Sequence, residues 1–262
     1  MKFTKILTVF FALTLIFTGI SSEVMAEDLS GREVIQNVYE REEGESREAE
    51  MNMVLINKHG DKRVRDLKQF NKDFGDVEKK IMFFTGPQDI RGTSFMNWSY
   101  EGNKEDDQWI YLPALGKIKR ISSDSKGDYF MGSDFTYDDL GERNIDADNH
   151  KLLRTDTLDG EEVYVVESIP KDEDYMYSKT ITWVIKDKWI GLKKEFYDRS
   201  GEHLKTLKVN EYKEIDGIIT VTESEMHNIQ KDHKTQLKLD EVKYNSGIDE
   251  NTFSVRQMKM GI

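Results

Sequence analysis

Ten segments of this chain read as β-strands, and short turn-forming stretches separate many of them. They are 51–58, 79–85, 92–100, 107–112, 162–169, 179–186, 192–198, 203–212, 217–229 and 235–244. Most are rich in Val, Ile, Thr and aromatic residues. Asp198-Arg199-Ser200-Gly201 and Asp216-Gly217 have hairpin-turn composition. Short turns between successive strands make those strands antiparallel neighbours. In "KTITWVIK" (179–186), Ile181, Trp183 and Ile185 share one face, while Thr180, Thr182 and Lys186 share the other. Such strands are half-buried, with one face in water. One helix is expected within 29–43. Ser30 is an N-cap and Glu33 completes a capping box. Leu29 and Val34 can form a hydrophobic staple, and Val34, Ile35, Val38 and Tyr39 share a helical face. The expected class is mainly β, with an N-terminal helix.

The first residues have a different character. Lys2 and Lys5 precede an apolar stretch from Ile6 to Ile20, and Val24-Met25-Ala26 supplies small residues at the right offsets. This is the pattern of a secretory signal peptide, residues 1–26, cleaved after Ala26. Residues 27–262 then form one domain, since three prolines and no Ser/Gly-rich stretch leave no obvious linker. Without Lys2, Lys5 and Glu23 the net charge is −13, against −12 for the whole chain. That balance disfavours a nucleic-acid partner and docking on anionic lipid head groups. There is no cysteine. Disulfides and a lipid-accepting Cys are therefore both excluded, and a soluble periplasmic protein is expected.

The middle of the chain departs from simple alternation. In "DDQWIYLPALGKIKRISS" (106–123), Trp109 and Tyr111 oppose Ile110 and Leu112, so both faces are apolar. Met82 and Phe84 oppose Ile81 and Phe83 in the same way. Such strands need cover on both sides. Residues 123–149 carry little strand signal but hold eight acids and five aromatic or Met residues, the pattern of a lid or binding loop. Met82, Phe84, Phe95, Met96, Trp98, Trp109, Tyr111, Phe130, Met131 and Phe135 are the candidates for lining an apolar cavity. The competing reading of each is ordinary core.

Signals for other chemistry are weak. There is no G-x-S-x-G and no HExxH, and Asp146-Ala-Asp148 lacks the rest of an EF-hand loop. Acid pairs are too numerous to single out a glycosidase site. No catalytic residue, metal or cofactor is expected. Lys117, Lys119 and Arg120 form a small basic patch. It reads first as an edge strand protected by lysine, and second as a dock for an acidic partner or a lipid phosphate.

"GPQDIRGTSFM" (86–96), "QWIYLPALGKIKRIS" (108–122) and "MGSDFTYDDL" (131–140) resemble the outer-membrane lipoprotein-sorting protein family, and the resemblance continues through 183–223. The family is related to the carriers LolA and LolB and to the regulator RseB. The resemblance implies a curled antiparallel sheet forming an incomplete barrel. The N-terminal helix and loops would plug its concave side, and an apolar cavity would hold lipid or lipoprotein acyl chains. It implies a periplasmic carrier without catalysis. Its partner would be an RND-type membrane transporter or an outer-membrane acceptor. An RseB-like lipid sensor that binds a membrane signalling protein is the alternative.

Overall fold

The computed structural model describes residues 29–102 and 104–262. The expected signal peptide and its cleavage site lie outside the described residues. Thirteen strands form one antiparallel sheet. In chain order they are β1 (Ser46–Ile56), β2 (Lys62–Asp73), β3 (Val77–Gly86), β4 (Ser94–Tyr100), β5 (Asp107–Leu112), β6 (Lys117–Ile121) and β7 (Asp148–Leu158). The rest are β8 (Glu161–Pro170), β9 (Tyr177–Ile185), β10 (Gly191–Asp198), β11 (His203–Ile215), β12 (Ile218–Asn228) and β13 (His233–Tyr244). Their spatial order is β6-β5-β4-β3-β2-β1-β13-β12-β11-β10-β9-β8-β7. The sheet is two meanders joined where β1 pairs with β13, and it stays open because β6 and β7 do not meet. The expected half-open architecture is therefore present.

Two strands carry no clear sequence signal. β2, "KRVRDLKQFNKD", turns Leu67, Gln69 and Asn71 toward the buried face, so two of its three inward residues are polar. It forms because β1 supplies an antiparallel ladder along Lys62–Lys72 and β3 a second one along Asp66–Asp73. β7 is an edge strand, mostly exposed, and it is recruited by the ladder of β8.

Helix α1 (Gly31–Tyr39) begins with the expected capping box. Ser30 Oγ accepts from the Glu33 amide at 3.2 Å, and Glu33 Oε2 accepts from the Ser30 amide at 2.7 Å. The helix lies on β7 and β8. Gly31 is required there, because a Cβ would stand 2.5 Å from the backbone of Leu152. Val34 packs with Val166 and Val184.

β3, β4 and β5 are covered on both faces by different pieces of chain. On one face, Ile81, Phe83 and Met96 pack against Ile248, Phe253 and Met258 of the C-terminal segment, which ends in the short helix α2 (Val255–Met260). On the other, Met82, Phe84, Phe95 and Ile110 pack against residues 130–140 of the β6–β7 connection. This explains the twice-apolar ribbon: each set of side chains has its own cover. α1 and the β6–β7 connection lie on the same face of the sheet, here termed concave, and the C-terminal segment lies on the other.

Candidate functional site

The β6–β7 connection is the plug. It contains four single 3-10 turns, at Ser123–Ser125, Phe130–Gly132, Asp138–Leu140 and Ile145–Ala147, and no longer element. At its tip Met131 sits at φ 49°, a left-handed conformation that costs a non-glycine residue free energy. Phe130 is completely buried, with its ring 5.2 Å from Phe95 and 5.9 Å from Phe84. Around this apolar peg the sheet offers a broad apolar surface of Met51, Met53, Leu55, Leu67 and Met82.

Polar side chains of the sheet hold the plug, and several of them bond its backbone carbonyls. Arg65 of β2 donates to the Met131 carbonyl. Lys80 of β3 donates to the Leu140 carbonyl at 3.3 Å, and Gln108 of β5 to the Tyr137 carbonyl at 2.8 Å. Lys205 of β11, with no exposed surface, donates to the Asp134 carbonyl at 3.1 Å and pairs with the Asp139 carboxylate. Tyr177 donates to Asp139 at 2.9 Å, and Tyr175 donates to Asp138. Thr235 donates to the Asp134 carboxylate, and His233 Nδ1 lies 2.7 Å from the same carboxylate. A buried ion pair holds only when further hydrogen bonds satisfy its remaining donors and acceptors. Here the Asp134 carbonyl serves Lys205, and the Tyr177 hydroxyl and the Thr136 amide serve Asp139.

Burial sets the electrostatics of these clasps. It lowers the Lys205 ammonium from its ordinary value, opposed by the attraction of Asp139. It raises the Asp138 carboxyl, opposed by the Tyr175 hydrogen bond. At the C-terminal end of the plug, burial and then the hydrogen-bonded Glu78 carboxylate raise Glu142 to about 8. Burial acts on Glu78 too, but Lys80 and the bonds from Glu142 and Asn71 outweigh it and hold Glu78 below the usual range.

The ten residues singled out in the sequence divide between the two faces. Met82, Phe84, Phe95 and Phe130 form one concave-face cluster, with Met131 packed on it. Phe135 belongs to a neighbouring cluster with Tyr177, Phe196 and Met226 on the same face. Met96, Trp98, Trp109 and Tyr111 lie on the opposite face, where Trp98 and Trp109 stack edge to face at 5.3 Å. Strand alternation could have separated Phe95 from Met96, since the side chains of adjacent residues point to opposite faces. The clasp residues Arg65, Lys205, Thr235 and His233 were not legible at all. Each is a polar residue on a strand of mixed composition, and its role depends on a plug distant in sequence.

Clefts flank the plug. One of about 390 Å³ opens between its tip and the β1–β2 hairpin, lined by Leu55, Lys62, Arg65, Met131 and His233 among others. Another of about 640 Å³ is lined by Asp106, Lys126, Asp138, Arg143 and Tyr175 among others. Neither reaches Phe84 or Phe95, whose surroundings are filled by Phe130. Among the described residues no group of three or more His, Asp or Glu is placed to hold a metal ion.

A half-open antiparallel sheet with an irregular plug on its concave face defines a LolA-like fold. A family model described only as that of an uncharacterized protein matches residues 76–260. An outer membrane lipoprotein-sorting protein domain from Vibrio parahaemolyticus is 36% identical, with a TM-score of 0.82 over 87% of this chain and 98% of its own. A DUF1329 family protein from Desulfovibrio piger is 29% identical, again with a TM-score of 0.82, over 87% of this chain and 97% of its own. A LolA superfamily protein from Nitrosomonas europaea shares the fold at 21% identity and a TM-score of 0.68, over 87% of this chain and 99% of its own. No curated protein matches the chain. The chain belongs to the outer-membrane lipoprotein-sorting protein family.

Proposed function

We propose that the protein is a periplasmic carrier that binds acyl chains of a lipid or lipoprotein on its concave face. One observation carries the reading. The apolar surface of Met51, Met53, Leu67, Met82, Phe84 and Phe95 is covered by an irregular segment held largely through polar contacts. Water can replace such contacts once the segment lifts, and an acyl chain can replace Phe130 against the sheet. Each methylene buried is worth ~0.8 kcal/mol. A long chain can thus offset the lost plug contacts, before the cost of ordering it. Release then requires an acceptor that binds the cargo more tightly or favours the closed plug. An RND-type transporter or an outer-membrane acceptor fits that role. The periplasmic location is supported by the signal-peptide pattern of residues 1–26 and by the sorting protein to which the chain is similar. Of the ten residues, Met82, Phe84, Phe95, Phe130, Met131 and Phe135 are proposed to meet the acyl chain. Met96, Trp98, Trp109 and Tyr111 are not.

The test is titration with a fluorescent fatty acid, together with native mass spectrometry of protein purified from its own periplasm. Saturable binding is expected, and the purified protein should carry an acyl-containing species. Met82→Glu should weaken binding tenfold or more, about 1.4 kcal/mol. A folded wild-type protein that arrives empty and binds no fatty acid would sink the proposal.

A further inference from the structure

The charge is distributed unevenly along the strands. Three turns of the β1–β6 half lie at one end of the sheet: residues 57–61 between β1 and β2, 87–93 between β3 and β4, and 113–116 between β5 and β6. The pairs Ile56–Lys62, Phe83–Ser94 and Leu112–Lys117 place them together. They also approach one another. A Cβ on Gly92 would meet Pro113 at 3.4 Å, and Asp89 acts on the charge of Arg65. On and beside these turns stand Lys58, Lys62, Arg63, Arg65, Arg91 and Lys117, against Asp61 and Asp89. All of these cations except Arg65 are exposed, and those exposed ones form no ion pair among the described residues. The opposite end, around residues 40–45, 73–78 and 101–107, is acidic, with Glu42, Glu43, Asp76 and Glu101 exposed. The cation excess belongs to the β1–β6 half of the first end, since the β8–β9, β10–β11 and β12–β13 turns on the same side carry exposed Asp172, Glu173, Asp174, Glu202 and Asp232.

The basic end has two further features. Leu115, at the apex of the β5–β6 turn, is 64% exposed, and Val64 beside the β1–β2 turn is 50% exposed. The 390 Å³ cleft at the plug's tip opens at this same end.

We infer that the basic end docks on an anionic phospholipid bilayer, with its turns against the head groups and Leu115 in the interface. This rests on the carrier reading, and it places the plug's tip at the membrane. A bilayer is favoured over an acidic protein by how the cations are held. They stand on separate convex turns, without carboxylate partners to fix them in a fork. Recognition of a structured acidic partner rewards preorganised, bidentate geometry. A fluid layer of phosphates needs no register and rewards each basic side chain near its surface. The interface also accepts an isolated leucine on a convex turn, which has no pocket-filling shape. The acidic end is repelled, so docking has one orientation.

The test is flotation of the full chain with vesicles of phosphatidylcholine alone or mixed with phosphatidylglycerol, at low and high salt. Fatty-acid binding is measured in parallel. Wild type should float only with phosphatidylglycerol vesicles, and salt should abolish it, because exposed charges are screened within about 10 Å at 0.1 M. The triple variant Lys58→Glu, Arg91→Glu and Lys117→Glu removes one cation from each turn. It should lose vesicle binding at least tenfold while binding the fatty acid as wild type does. Leu115→Ser should lose it several-fold. Equal flotation of wild type and triple variant would overturn the inference. So would a wild type that ignores both vesicle types, or one that binds soluble poly-glutamate as tightly as vesicles with Leu115→Ser unaffected. Vesicle binding without fatty-acid binding would instead sink the carrier reading and leave the docking surface standing.

Discussion

The two covers of β3–β5 use opposite chemistry. On the convex face the C-terminal segment is pinned by apolar side chains. Ile248, Phe253 and Met258 are buried against Ile81, Phe83 and Met96, with few polar bonds, such as Lys72 to the Ile248 carbonyl at 2.7 Å and Ser94 to the Met258 carbonyl at 2.9 Å. On the concave face the plug has two apolar anchors, Phe130 and Phe135, set within a ring of polar clasps. Buried apolar area is lost in full on opening and nothing in water replaces it. A hydrogen bond exchanged for one to water costs only about 1 kcal/mol net. The convex cover is therefore built to stay, and the concave cover is built to leave.

The largest expected effect tests the permanent cover. Phe253→Ala should cost about 4 kcal/mol of stability, the usual loss for a large aromatic in a packed core. Fatty-acid affinity measured on the folded fraction should not change. Chemical denaturation and a binding titration check both parts. A change in affinity would show that the convex cover also moves with the ligand.

Next comes the charged clasp. Lys205→Met leaves Asp139 buried and uncompensated, which should cost about 3 kcal/mol. It should also speed fatty-acid uptake, since the plug loses its strongest clasp. Adding Asp139→Leu removes the stranded charge and should restore much of the stability. Stopped-flow uptake and denaturant melts of the single and double variants decide this. Stability lost without faster uptake would mean that the clasp supports the sheet and does not gate the plug.

The third effect is pH-dependent. The Glu142 carboxyl is raised from its ordinary 4.5 to about 8 by burial and by Glu78. Between these values the folded protein holds a proton that the unfolded chain has lost. Stability therefore falls as pH rises from about 4.5 to 8 and flattens above it. The lowered Glu78 acts in a separate window, losing stability only as pH falls below about 4.5. Glu142→Gln should flatten the upper window, with a change of roughly 2 kcal/mol across it, well under the full linkage at about 1.4 kcal/mol per pKa unit, because Glu142 is partly open to solvent that screens the pair. Melting curves between pH 5 and about 8 test this. A wild-type stability independent of pH there would remove the carboxyl pair as a clasp.

These contrasts also show what the sequence makes legible. Strands with regular alternation, such as 179–186, are visible because one face must be apolar. The capping box at Ser30 and Glu33 is visible because it is local. The plug is visible as a long acidic, aromatic gap in strand signal. β2 is not, because it joins a ladder whose partners supply the order, and its inward Gln69 and Asn71 break the pattern. The clasps are not, because Lys205 meets Asp139 across 66 residues and Asp134 meets Thr235 across 101. Trp109 and Tyr111 are exceptional in the sequence, yet the cover they need comes from a segment more than 100 residues further along the chain, near Phe253.

The smallest effect asks whether the concave face has one moving part or two. Helix α1 shares that face with the plug, and Arg32 pairs with Asp146 at 2.6 Å, just where the plug joins β7. Both side chains are more than half exposed, so the pair adds little by itself. Gly31, however, lies directly against the β7 backbone, and Val34 is fully buried beneath the helix. The helix is thus anchored by packing, as the convex cover is. Ser30→Ala removes the N-cap bond and half of the capping box, for a loss of about 1 kcal/mol. If the helix is a fixed part of the frame, amide exchange should quicken in residues 31–39 and remain unchanged in 130–140. If exchange quickens in both, helix and plug open together. The division between a lasting and a releasable cover would then run within the concave face, and the acyl-binding surface would extend past Phe196 toward Val166 and Val184.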